Sequence, residues 1–260
     1  LANILTVPVM GAVIMPAGAV AALLAPVGLA DLPLWVMEQG ARWILFVAHW
    51  IAGLEGAVTA IPAPGRWVLP LLTLGAIWAV LSVGRIRWAG LVPVVAALAL
   101  WIGTERPLLL ISGDGRLLGL AGPEGRALSA GSGGGFAAEN WLQNDGDLAT
   151  QPEAAARPGF DGPKGERRFT LSGLRGVALS GKGATARLAE VCTSADLVIL
   201  TEPAESPPPG CPILDNTILA DTGPLAIWDR QGQLVVERAR TASRLWSPPA
   251  STAELPVLRP

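Results

Sequence analysis

The sequence predicts an α-helical transmembrane segment followed by a soluble α+β domain. Three observations predict it. Residues 1–103 hold seven formal charges (Asp31, Glu38, Arg42, Glu55, Arg66, Arg85 and Arg87), whereas the rest of the 260-residue chain holds 33. A soluble fold is about one-quarter charged, so only the later part has water as its solvent. Within the first part, apolar runs of helix length follow one another, and beyond Pro107 they give way to short apolar runs separated by Gly-Asp-Gly and Gly-Pro-Glu-Gly turns. The mean hydropathy of +0.45 averages over these two regimes.

Leu1–Leu29 carries no charge and contains Pro8, Pro16 and Pro26. About 20 apolar residues cross a hydrocarbon core, so this run reads as one span, with a kink expected at Pro16. The run has no basic stretch before it and no small-residue cleavage site after a short apolar core. It is therefore expected to belong to a longer multi-span protein, as its C-terminal piece, and not to be a signal peptide.

Residues 33–55 are apolar but include Glu38, Gln39, Arg42 and His49. On a helix, Glu38, Arg42 and His49 share one face, while Trp35, Trp43, Trp50 and aliphatic residues cover much of the remainder. This polar stripe beside tryptophans predicts a helix lying in the membrane interface or lining a water-filled path. The other reading is a buried span whose stripe packs on neighbouring helices, with Glu38 and Arg42 simply neutralising each other. His49 is the chain's single histidine and has no carboxylate or serine arranged around it for catalysis.

Residues 66–83 form a second clear span. Gly84-Arg85-Ile86-Arg87 reads as a tight turn, and Trp88–Ile102 as a short returning span. The excess of arginine puts this tip on the cytoplasmic side. The chain from residue 104 to about 247 is then external, or periplasmic in a cell with two membranes, on a multi-pass inner-membrane protein. The tail 248–260 is Pro-rich and expected to be disordered.

In the external part, strands are expected near 108–112, 116–120 and 126–130, then a short helix at 136–143 and a loop over 144–166. Strands at 167–172 and 175–180, a helix at 184–194, a buried strand at 196–200 and strands near 213–219, 224–228 and 233–237 follow. Such an order gives an α+β or layered αββα domain. Cys192 and Cys211 lack zinc-site spacing. In an oxidising compartment they are expected to form a disulfide, and otherwise to be two free buried thiols. Net charge is −2, so no global basic field points to nucleic acid. Locally, Arg157, Lys164, Arg167, Arg168, Arg175, Lys182 and Arg187 face only Asp161 and Glu166 over residues 157–187. Gathered on one face, these cations would guide a DNA backbone; otherwise they are an ordinary solvated surface. GSGGG at 131–135 lacks the Gly-Lys-Ser/Thr ending of a phosphate loop and reads as a flexible connector.

The opening LANILTVPVMGAVIMPAGAVAALLAP, the amphipathic LPLWVMEQGARWILFVAHWIAGL and the Trp-rich hairpin resemble the end of the competence domain of ComEC proteins. The resemblance implies an inner-membrane channel that imports single-stranded DNA during natural transformation. It also implies that the rest of the channel, membrane lipid and other copies of the chain are partners. Beyond the membrane part, LLLISGDGRLLGL and ADLVIL stand where that family has an Asp-Val-Gly-Gln-Gly-Asp turn and a later strand leading to a His-His-Gly-Ser motif, which implies a metallo-β-lactamase-like fold. The metal-binding histidines of active members are missing: Thr201-Glu202-Pro203-Ala204-Glu205-Ser206 follows ADLVIL. A hydrolytic zinc needs about three protein ligands and a bound water. The expectation is a degenerate, non-catalytic domain with no metal and no cofactor. The alternatives are a membrane-tethered hydrolase of the metallo-β-lactamase type, or a structural or partner-binding domain on a membrane anchor.

Overall fold

The computed structural model describes residues 2–54, 56, 59–204, 206, 208–241, 255, 256 and 258. Most of the tail expected to be disordered lies outside them. The chain divides into two compact units, Leu1–Thr59 and Ala60–Pro260.

The first unit is an antiparallel helical hairpin. Its first arm is α1 (Ala2–Val9), a π-helical stretch (Met10–Ile14) and α2 (Met15–Leu24), closed by a 3₁₀ turn (Ala25–Val27). The irregularity expected at Pro16 falls just before it. Proline offers no N–H to the carbonyl one turn back and its ring crowds that carbonyl, and the wider π turn over Met10–Ile14 accommodates both. Gly28, at φ +73°, reverses the chain into α3 (Asp31–Ala52). The two arms meet along small residues. Ala17 and Ala21 are buried, and a Cβ on Gly40 of α3 would lie 2.7 Å from Ile14 Cγ1. Close approach over small residues lets dispersion hold helices together where lipid removes the hydrophobic drive. Trp43 Nε1 donates to the Leu5 carbonyl at 3.2 Å across the seam.

The second unit opens with another helical hairpin. α4 (Val68–Leu81) is shorter than the span expected over 66–83, because Ser82 is extended and Gly84 adopts φ +72°. Extended Ser82 and Val83 followed by Gly84 make the reversal. From there a 3₁₀ helix (Gly84–Gly90) runs into α5 (Leu91–Ile102), replacing the expected four-residue turn. Gly75 and Gly90 form the contact between the arms: a Cβ on Gly75 would lie 2.6 Å from the Gly90 carbonyl oxygen. Each end carries an arginine over a tryptophan ring, Arg66 over Trp67 and Arg87 over Trp88, both at 5.8 Å. Trp101 Nε1 donates to Pro62 O at one end, and Trp78 Nε1 to Ile86 O at the other. Tryptophan rings thus sit at both ends of an apolar hairpin.

Two sheets follow. The first contains β1 (Leu109–Ile111), β2 (Leu118–Gly122), β3 (Gly125–Leu128), β8 (Leu225–Arg230) and β9 (Gln233–Arg238), in the order β3-β2-β1-β8-β9, all antiparallel. The second contains β4 (Glu166–Leu171), β5 (Leu174–Leu179), β6 (Leu197–Leu200) and β7 (Ile213–Leu214) in sequence order, with β5, β6 and β7 parallel. The expected meander over 108–130 and the paired strands around Gly173 are both present. Alternation along β6 explains the layering. Leu197 and Ile199 join a core shared with the first sheet, and Val198 and Leu200 face α8 (Leu188–Val191) on the other side. A strand buried on both faces reads as an unbroken apolar run, as LVIL does. On the far side of the first sheet, Leu117 and Leu128 pack on α6 (Gly135–Asp145) and α7 (Gln151–Ala155). The layers are helix, sheet, sheet, helix.

Three segments differ from expectation. Within the expected 144–166 loop, Thr150 and Glu153 form a capping box that starts α7. The expected strand at 213–219 shrinks to β7 because Asp215 accepts a hydrogen bond from Ile218 N and starts a helix, α9 (Asn216–Thr222). The helix expected at 184–194 is one 3₁₀ turn (Thr185–Arg187) followed by the four residues of α8. Cys192 and Cys211 are joined in a disulfide that ties the end of α8 to the loop before β7. In the tail, Leu258 is buried and bridges to Leu234.

Candidate functional site

In α3, Pro33, Gly40 and Val47 are buried, seven residues apart and therefore on one face. Helical geometry puts Glu38, Arg42 and His49 on the opposite face, away from the α1–α2 arm. Arg42 Nη2 lies 2.7 Å from Glu38 Oε1, with both side chains more than half exposed. The His49 Nδ1 lies 2.7 Å from the Leu45 carbonyl oxygen. Within this unit, the stripe presents a charge pair and an imidazole to the outside of the hairpin. Large apolar side chains, including Leu32, Trp35, Leu45 and Phe46, are also exposed around α3. Such a helix has one wet edge and an otherwise apolar circumference.

The basic residues of 157–187 are spread over several places. Arg157 pairs with Asp147 and also donates to the Arg126 carbonyl. Arg168 and Arg187 both reach Glu166, at 2.7 and 3.4 Å. Arg175 pairs with Asp196, which links β5 to the start of β6. Four of the seven cations are thus engaged by carboxylates. Among the described residues, Lys164, Arg167 and Lys182 have no carboxylate partner; Arg167 donates to the Gly162 carbonyl. The pairs leave their mark on titration. The Arg157 hydrogen bond holds the Asp147 carboxyl below its ordinary range, and the Arg175 hydrogen bond does the same for Asp196.

Sequence reasoning missed one buried cation. Arg126 on β3 is 2% exposed, with Nε 2.5 Å from Asp145 and its Nη atoms donating to the Gly119 and Pro107 carbonyls. Gly119 lies on the adjacent strand, but Asp145 and Pro107 are each 19 residues away, so no local pattern announces the buried pair. The Gly-Asp-Gly turn is a closed local network as well. Asp114 accepts from the Ser112 hydroxyl at 2.6 Å and from Arg116 N. Burial pushes its carboxyl up, but these hydrogen bonds outweigh that and hold it below the ordinary value.

The hydrolytic zinc implied by the sequence resemblance does not fit the donors present. The single histidine lies on α3, and among the described residues no three His, Cys, Asp or Glu side chains gather closely enough to hold a metal. Both cysteines are committed to the disulfide.

Fold and patterning together define a class: apolar helices joined to a layered α/β domain. Two helical stretches, Ala2–Val27 and Gly84–Ile102, are long and apolar enough to cross a membrane, which is compatible with membrane association. Residues 1–86 match the family model described as Competence protein. That match covers α1 to α4, including the polar stripe, and supports a competence-type protein involved in DNA uptake. No curated protein and no solved structure matches the chain.

Proposed function

We propose that the chain supplies helices to a ComEC-type inner-membrane channel that imports single-stranded DNA, with residues 104–247 as a non-catalytic external domain. The observation that carries this reading is the α3 stripe. Glu38, Arg42 and His49 lie opposite the Pro33-Gly40-Val47 seam, inside the segment matched by the competence family. Ionisable residues in membrane segments usually face a protein interior or an aqueous cavity. A stripe turned away from its own hairpin is free to line a polar path shared with further helices. Transport through such a path breaks no covalent bond in the strand.

The layering of the external domain, helix-sheet-sheet-helix with mixed strand directions, supports a metallo-β-lactamase-like ancestry. Its donor set speaks against a retained hydrolase: an active site of that kind needs imidazoles, and the domain has none. The test is transformation frequency in the host carrying Glu38→Ala, Arg42→Ala and His49→Ala together. The expected result is a drop of at least about tenfold at unchanged membrane abundance. Unchanged transformation would remove the channel reading, and metal-dependent cleavage of single-stranded DNA by the purified chain would remove the non-catalytic one.

A further inference from the structure

The end of the sandwich holds a cleft of about 340 Å³ between the two sheets. Arg116, from the β1–β2 turn, and Gly131 and Ser132, from the glycine-rich loop after β3, form one wall. Lys164, Arg167 and Ser180 form the other. Three cationic side chains from separate parts of the chain therefore converge on a lining of hydroxyls and glycine backbone. The nearby carboxylates are weakly placed to cancel them. Asp114 lies 3.9 Å from Arg116 with both side chains more than half exposed, and Glu166 is engaged by Arg168 and Arg187.

The glycine loop adds donors. Gln151 Nε2 donates to the carbonyls of both Ala130 and Gly133, at 3.0 and 2.7 Å, and so fixes the loop from behind. Gly133 and Gly134 both have positive φ, and a Cβ on Gly133 would meet nothing within 4 Å. Gly131 and Ser132 are the glycine-loop residues that line the cleft beyond Ala130, and among the described residues their N–H groups meet no protein acceptor. Successive free N–H groups in such a turn form an anion-binding concavity.

We propose that this cleft binds the phosphodiester backbone of a single DNA strand, one phosphate seated among Arg116, Lys164 and Arg167. The inference rests on the DNA-uptake reading for the identity of the polyanion. The chemistry favours backbone over base recognition, because no aromatic side chain lines the cleft for stacking. Its volume is that of a small-ligand site, too confined for a duplex. The lining also offers no apolar trough for acyl chains: Leu118 and Ala178 there are core residues with little exposed surface.

The test uses the full chain in phosphatidylcholine nanodiscs and a fluorescein-labelled 20-nucleotide oligodeoxythymidylate, with anisotropy read across a sodium chloride series. The combined Arg116→Gln, Lys164→Gln and Arg167→Gln variant should bind on the order of tenfold more weakly. Its log–log salt slope should be shallower by about 2, as expected for three lost phosphate contacts. Ser132→Glu, an exposed change that puts a carboxylate at the mouth, should weaken binding similarly, whereas Lys182→Gln should not. Wild-type affinity and slope in both the triple variant and Ser132→Glu would overturn the proposal while leaving the channel reading intact, since the strand then binds elsewhere. A wild-type chain that binds short-chain phosphatidylglycerol by calorimetry but ignores the oligonucleotide would also overturn it, in favour of a lipid headgroup. Disruption of the gene without loss of transformation would remove the channel reading and leave a measured cleft affinity standing.

Discussion

The helical hairpins and the sandwich solve the problem of an interior in opposite ways. In the hairpins the interior is a narrow seam of mostly small residues, glycine and alanine with Pro33, Val47 and Val68, and most large side chains point outward: Ile4, Val80 and Ile102 are among the most exposed large apolar residues. In the sandwich the large residues are inside, with Leu109, Ile111, Leu197 and Ile199 fully buried between the sheets. Two different solvents would produce such a difference, and it is compatible with membrane association of the helices. Water rewards burial of apolar area at about 25 cal/mol per Å², whereas lipid gives no such reward and leaves packing and hydrogen bonds to decide. Ionisable residues are sorted differently as well. In the second hairpin they sit at the ends, in the first hairpin along one stripe, and in the sandwich within ion pairs that stitch distant segments together.

The comparison predicts where single changes hurt most. Arg126→Ala should be the most damaging. It leaves Asp145 and two carbonyls without their partner under α6, and breaking a buried pair from one side costs about 3–5 kcal/mol. A thermal midpoint of the detergent-solubilised chain close to wild type would show that the sandwich does not depend on this cation. Replacing Cys192 and Cys211 with serine should follow, at about 2–4 kcal/mol, seen as a lower urea midpoint that reductant no longer shifts. In the second hairpin, Gly75→Val forces side-chain atoms against the Gly90 carbonyl and should cost about 1–3 kcal/mol. Its mark should be confined to the helices, with the disulfide-bonded domain still protease-resistant.

Smaller effects test the ion pairs. The folded-state pKa of Asp147 is depressed by its Arg157 partner, so the stability this carboxylate adds is present above its unfolded value, near 3.9, and is lost as pH falls through the folded one. Asp147→Asn should therefore lower the urea midpoint at pH 6, by an amount that shrinks as pH falls below about 3.9. The smallest stability effect belongs to Glu38→Gln. An exposed i,i+4 pair contributes about 0.3–0.5 kcal/mol, so the midpoint should barely move. A large loss of stability there would mean that the stripe holds the hairpin together and is not a polar path.

Legibility in the sequence followed the range of the interactions. The helix–strand boundary, the Gly-Asp-Gly hairpin, the two-faced strand LVIL and the α3 stripe are written in short periodic patterns. The cysteine pair was legible as a choice between a disulfide and two thiols, and the structure forms the disulfide. ILDNTIL reads as a strand in the sequence and was corrected by the Asp215 cap, and the Thr150–Glu153 box was present but hidden among glycines and prolines. Wholly illegible were the contacts between distant segments. Arg157, Arg175 and Arg187 look like a free basic run in the sequence, yet each meets a carboxylate in the structure. Arg116, in a turn that hydrogen bonding fully explained, lines one cleft with Lys164 and Arg167, which lie far along the chain.

The strand order of the first sheet also has a meaning in time. β1 lies between β2 and β8, yet β8 and β9 leave the ribosome only after the whole second sheet has been made. Until Leu225 arrives, β1 has one edge without a partner, and the apolar faces of β1 and β2 lack the strands that complete their sheet. The domain cannot mature half by half. It must hold one edge of β1 open until the chain returns, so any pause in synthesis before β8 exposes a sticky strand edge close in sequence to the apolar helices.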